Sequence, residues 1–328
     1  MRAPSDNAAS ANPGPEPAPP HALLRPGIAI PFLIVALVWG STWLVIKDQL
    51  AAAPPSWSVA YRFAIATLGM FALALATRRG LRMPLSLQAL AAAIGCAQFF
   101  VNFNFVYRAE IHLTSGIVAV LFGLLMVPNA LLARIFLGQR LTPRFLIGSA
   151  FGLAGIALLL VHEARAAPPG GQVALGVLFS VIGLLSASCA NVLQASEAAR
   201  RPPVTVLLAW AMLWATLANI AFAWIVAGPP VFPDSARYWS GVAYLGLIGS
   251  VLTFPLYFGL IRDLGPGRAA YNGVVVPVVA MALSTLFEDY RWSALALGGG
   301  VLALAGMVLA LRGRHVPPSA SSATRPAR

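Results

Sequence analysis

The sequence predicts an all-α integral membrane protein whose ten transmembrane helices form two five-helix units of opposite orientation. Three observations carry this reading: too little charge for a water-facing surface, ten apolar runs of spanning length, and features that recur 148 to 151 residues apart. Of the 328 residues, 59% are hydrophobic and 10% charged, with a mean hydropathy of +0.79. Soluble domains carry roughly 25% charged residues, so the solvent of this chain is mostly lipid.

The elements follow in chain order. Residues 1–27 include a Pro/Ala-rich stretch from Ala11 to Pro20 and no apolar core before Ile28, which predicts a disordered cytoplasmic tail, not a cleaved signal peptide. Apolar runs then fall at 28–46, 57–77, 88–107, 114–135 and 145–161, forming a first unit over 28–161. Further runs at 173–194, 203–227, 239–260, 268–287 and 293–311 form a second unit over 173–312, and residues 313–328 predict a second cytoplasmic tail. Each run is long enough to span, with 145–161 at the lower limit. At roughly 20 residues per span, the connections are short, which excludes a nucleotide-binding domain, a kinase or a DNA-binding module.

The net charge of +12 and pI near 11.0 raise nucleic acid as a partner. The arginines, however, come in ones to threes beside apolar runs and form no basic stripe with interleaved aromatics, so no nucleic-acid partner is expected. Alternating the loops places sixteen of the 22 basic residues on one side. By the excess of Lys and Arg in cytoplasmic loops, this predicts a multi-pass inner-membrane protein with both termini in the cytoplasm. Trp57, Tyr61, Tyr107, Tyr238, Trp239, Tyr290 and Trp292 gather at the predicted outer boundary, where amphipathic rings are favoured. Cys96 and Cys189 lie in apolar runs and read as small buried groups. The expected partners are the lipid bilayer and a small-molecule substrate, and a homo-oligomer is compatible with the design.

The internal repeat is specific. Pro128 precedes Gln139 by eleven residues, as Pro277 precedes Glu288. Gly148, Gly152 and Gly155 correspond to Gly299, Ala303 and Gly306, and Pro54-Pro55 to Pro202-Pro203. Because five spans are an odd number, the second unit enters the membrane upside down, giving a pseudo-twofold axis in its plane and a route to alternating access. Pro128 and Pro277 each remove a helical hydrogen bond and are candidate gating kinks, the alternative being a fixed bend around a cavity.

The residues that carry a family resemblance are Trp39-Gly40-Ser41-Thr42-Trp43, Tyr61-Arg62-Phe63, and Leu137-Gly138-Gln139-Arg140-Leu141-Thr142 with the following glycine helix. They resemble the EamA-type repeat of the drug/metabolite transporter superfamily, over about 28–312. Gln139 stands where the family usually has an acid, and Glu288 is followed by an unusual Tyr290-Arg291. The resemblance implies a carrier that moves small metabolites, amino acids, nucleosides or drugs, mostly outward.

Chemistry within the spans is uncharged. The acids and histidines fall in tails or near run boundaries, so no in-membrane carboxylate relay, no metal site and no cofactor are expected. Glu110, Glu288 and Asp289 are the boundary acids open to a proton-coupling role, against a reading as solvated loop charges. Arg62 is the ionisable exception, at a depth from which its guanidinium can snorkel outward; it either faces a cavity and holds a substrate carboxylate or phosphate, or bonds carbonyls at a helix end.

Gln98 and Asn102 are four apart on one helical face, and Trp39 and Trp43 likewise, flanking Ser41 and Thr42. With Asn129, Asn191, Ser250, Thr253, Tyr257 and Asn272 they form the candidate substrate-binding set, the alternative being interhelical hydrogen bonds. Amides with aromatic walls suit a zwitterion or a heterocycle. The glycine stripes predict close helix packing. The function that follows is a secondary transporter and exporter of small metabolites. A membrane-embedded enzyme and a non-transporting sensor are the alternatives, disfavoured by the missing catalytic motifs and by the short loops.

Overall fold

Proline opens half of the long helices. Pro26, Pro55 and Pro143 occupy first helical positions, and Pro84 and Pro203 stand immediately before two more. There the ring presets φ and the missing N–H is one that a helix start leaves unpaired in any case. The computed structural model describes residues 25–137, 141–166, 172–264 and 271–312. Both tails and the Gln139 position lie outside the described residues.

Among the described residues there is helix and no strand. The spans are α1 (Pro26–Gln49), α2 (Pro55–Ala76), α3 (Leu85–His112), α4 (Ser115–Phe136), α5 (Pro143–Ala166), α6 (Val173–Ala195), α7 (Val204–Ala227), α8 (Ala236–Leu260), α9 (Asn272–Phe287) and α10 (Ala294–Arg312). Nine are long and apolar enough to cross a membrane, and α9 is a shorter apolar helix of 16 residues. This is the expected ten-helix membrane fold. Below, the termini end is the one where α1 begins and α10 stops, and the far end is the opposite one.

The surface is inverted relative to a soluble protein. Leu68, Ile225 and Leu286 lie on the outside, while Ser58, Thr67, Asn104, Thr216 and Asn219 are buried. With lipid outside there is no hydrophobic drive between helices, so close packing and interhelical hydrogen bonds hold them. Thr67 of α2 pairs with Thr216 of α7 at 3.0 Å, and Ser58 with Tyr238 of α8 at 2.8 Å. Between α5 and α10 the glycine stripes do what the sequence predicts: Gly148, Gly152 and Gly155 meet Gly299, Ala303 and Gly306 backbone to backbone.

Two π-helical segments were invisible in the sequence, Cys96–Val101 in α3 and Tyr244–Leu252 in α8, starting 148 residues apart in corresponding spans. A π turn widens the helix and disturbs the regular carbonyl ladder, and side chains take up the slack. Ala97 O accepts from Ser186 of α6 at 2.8 Å, Gln98 O from Asn102, Phe99 O from Asn219 of α7, and Phe100 O from Asn104. In α8, Leu245 O accepts from Ser250 and Gly249 O from Thr253 and Trp39. Asn219 also accepts from Asn104 at 2.6 Å. Replacing Asn219 by Leu strands the Phe99 carbonyl and an Asn104 N–H in a dry interior. The expected loss is about 1–3 kcal/mol, read as a lower thermal midpoint of the purified protein in detergent.

The two equivalent prolines behave differently. In α4 the ladder breaks one turn before Pro128, into Ser115–Gly123 and Met126–Leu137, because Pro128 has no N–H for Leu124 O, which takes Val127 N instead. In α9 the helix runs on through Pro277.

Candidate functional site

The site is built where α1, α2, α3, α4 and α8 meet at mid-bundle. Trp39 of α1 donates to Thr253 Oγ1 at 2.8 Å and to the π-segment carbonyl of Gly249, and its ring packs on Phe254 and Tyr257. Ser41 bonds Tyr244 OH at 2.7 Å, and Thr42 returns its hydroxyl to Trp39 O. One turn on, Trp43 packs against Phe122 of α4 at 5.2 Å. Gly183 of α6 comes close to both Phe122 and the Asn102 side chain. The absence of a side chain at Gly183 is what lets α6 approach this point.

Arg62 departs from its expected outward reach. Its side chain is buried at 2% exposure, its Cζ lies 4.3 Å from the Phe103 ring centre, and Nη2 reaches toward Gly249 of α8 beside Thr42. The guanidinium is held inside the bundle by aromatic faces instead of snorkelling to the interface. Its Nε and Nη1 find no acceptor among the described residues. Trp43 Nε1, Gln98 Oε1 and Asn102 Oδ1 are likewise buried and unpaired. In an apolar interior each such group is costly, and donors and acceptors are both left over.

Other members of the candidate set are engaged within the protein. Ser250 and Thr253 spend their hydroxyls on the π-segment carbonyls. Asn191 donates to Asn129 at 3.3 Å, linking α6 to the termini-end half of α4. Asn272 at the start of α9 donates to Phe32 O at 3.1 Å and keeps a buried, unpaired Oδ1.

The far end corrects the sequence reading most. Helix α3 continues to His112, past the expected end at 107, and carries Arg108 and Glu110 with it. Arg108 binds Asn104 and Ser56 and lies over Phe222. Glu110 is fully buried, not a solvated loop charge, and neither carboxylate oxygen has a hydrogen-bond partner among the described residues. Tyr107, expected at the lipid boundary, is buried and donates to Gln49 Oε1 at 3.0 Å. Trp57, Tyr61, Phe232 and Trp239 do stack into an aromatic cluster at this end.

Charges from three elements clamp the turn between α3 and α4. Lys47 of α1 donates to Glu110 O and, at 2.9 Å, to Leu113 O, placing a cation on the last carbonyls of α3. Glu163 of α5 accepts from Thr114 N at 3.1 Å, and Glu288, from the second half of the chain, accepts from Ser115 N and Ser115 Oγ. These anions sit at the N-terminus of α4. Each sign matches the helix dipole it faces. Beside them Tyr290 is buried, and that burial pushes its phenol up from the ordinary value, the Glu163 carboxylate adding in the same direction. Asp289 is exposed and takes no part.

Ten apolar helices around a buried cation, orphaned amides and a charged clamp at one end define a membrane transporter. The chain belongs to the EamA-like transporter family, which it matches twice, over residues 27–161 and 174–312. It is 29% identical to the "Uncharacterized inner membrane transporter YedA" of Escherichia coli K12, covering 80% of this chain and 84% of that one. It is 26% identical to a "Probable amino-acid metabolite efflux pump" of the same organism, covering 82% and 90%. A solved crystal structure superposes with a TM-score of 0.64 at 23% identity, covering 87% of this chain and 96% of the other, which supports the fold.

Proposed function

We propose that this protein is a secondary transporter of the inner membrane, both termini cytoplasmic, that exports small zwitterionic metabolites of the amino-acid class by alternating access. The observation that carries the reading is the leftover hydrogen-bonding capacity at mid-bundle. The unpaired Arg62 N–H groups suit a carboxylate, and Gln98 Oε1 and Asn102 Oδ1 suit an ammonium. Aromatic side chains around them, Trp39, Trp43, Phe103 and Phe122, offer an apolar wall for a substrate side chain. The amino-acid efflux relative supports the same class. The clamped far end corresponds to one state of the cycle, closed on that side. The inverted five-helix units exchange it for the opposite state, in which the clamp has opened.

Counterflow of labelled phenylalanine, leucine and uridine into preloaded proteoliposomes tests this. Saturable exchange of the amino acids, with uridine failing to compete, is the expected result. Asn102→Ala and Gln98→Ala should each raise the half-saturation concentration about tenfold, which is ~1.4 kcal/mol of lost binding. Unchanged half-saturation in both variants would remove these residues from the site.

A further inference from the structure

The clamp holds a group that neither substrate binding nor helix capping uses: the Glu110 carboxyl. Its backbone carbonyl takes Lys47, but its two side-chain oxygens have no hydrogen-bond partner among the described residues, and the residue has no exposure at all. The charged and titratable groups facing it come from every side. Lys47 stands on α1, Arg62 on α2, and Glu288 on the α9–α10 connection, all within electrostatic reach. Tyr107 and His112 lie one turn back and two residues on along α3, and Glu163 holds the adjoining Thr114 N. Helix α6, packed along α3, contributes no charged residue, and neither does the first half of α4. Two cations attract an ionised Glu110 and one carboxylate repels it, with no hydrogen bond to fix its state.

We propose that Glu110 is a proton-binding site, and that its occupancy controls the far-end clamp and so couples transport to protons. The site is sealed in the state described here and becomes wet when the clamp between Lys47, the α3–α4 turn and Glu288 opens. Alternate exposure of one carboxyl is what a proton-coupled carrier requires. In the wet state an O–H bond forms at one carboxylate oxygen with a proton from far-side water. That bond breaks in a state open to the termini side, distinct from the sealed one described here, and the proton leaves to water there. Ionised, Glu110 pulls on Lys47 and holds α1 and α3 together. Protonated, it releases that cation. The clamp joins the first half of the chain to the second through Ser115 and Glu288, so its loosening frees the two halves to move.

The proposal rests on the alternating-access reading, and the test separates the two. Infrared difference spectra of the protein in lipid vesicles, between acid and neutral buffer, need no substrate. A carboxylic C=O band present in wild type and missing in Glu110→Gln is expected. Glu110→Asp, which keeps the acid, should retain the band at a shifted position even if the Gln variant folds poorly. In proteoliposomes carrying an imposed pH gradient, wild type should accumulate labelled phenylalanine, whereas Glu110→Gln keeps counterflow while its accumulation ratio falls to about one. Identical infrared spectra, or wild-type accumulation by Glu110→Gln, overturn the proton site. Absence of counterflow in wild type instead overturns the transport reading and leaves the infrared result standing.

Discussion

Gly306→Ala should leave little or no folded protein, whereas Gly298→Ala, two turns away on the same helix, should be harmless. A Cβ on Gly306 would run into Gly152 N, with Gly148 O at 2.6 Å and Gly152 Cα at 2.8 Å. All three obstacles are backbone of α5, so no side chain can swing aside and the helices must separate. Separation undoes the whole contact, because Gly155 sits equally tight on α10: a Cβ there would lie 2.6 Å from Gly299 O and 2.7 Å from Ala303 Cα. Overpacking an ordinary core costs about 1–3 kcal/mol; rigid backbone on both sides puts this substitution above that range. A Cβ on Gly298 meets nothing within 4 Å, and removing a helix-interior glycine is worth roughly 0.5–1 kcal/mol. Monodisperse yield by size exclusion and thermal midpoint in detergent read both variants. Equal yields for the two would show that α5 and α10 are not held by this contact.

The parts of the fold legible in the sequence are those set by local pattern. Apolar runs locate ten helices because lipid imposes hydropathy on each span separately, and the glycine stripes mark helices that pack closely because small residues let backbones approach; that α5 and α10 are each other's partner is read from the bundle. What a window could not read is tertiary. The run over α3 ended at Tyr107 because Arg108 and Glu110 lower its hydropathy; only the bundle reveals that Ser56 and Phe222 take up Arg108 and that Glu110 is enclosed. The π segments escaped notice because one extra residue per turn leaves composition unchanged. A faint signal did exist in Ser or Thr following its carbonyl partner by four or five residues, as with Ser250 and Thr253. The sequence offered those hydroxyls as substrate ligands, and the structure spends them on Leu245 O and Gly249 O. The amides at 98 and 102 face no such demand on their oxygens.

Arg62→Met should abolish saturable amino-acid flux while leaving the protein folded and, by thermal midpoint, at least as stable. The two halves of this expectation have one cause. A guanidinium at 2% exposure with Nε and Nη1 unpaired is a standing cost to the fold, and an apolar side chain of similar length over the Phe103 ring removes it. The same unpaired N–H groups are what a carboxylate would bind as a fork. Their loss should raise the half-saturation concentration at least a hundredfold, about 2.7 kcal/mol. Arg62→Lys separates charge from geometry. It keeps the cation near Glu110, and so the response to a pH gradient, but replaces the planar fork by a point charge, so binding should weaken by about tenfold, ~1.4 kcal/mol. A purely structural arginine predicts the reverse pattern: a large drop in thermal midpoint for Arg62→Met, and wild-type affinity in whatever Arg62→Lys protein folds.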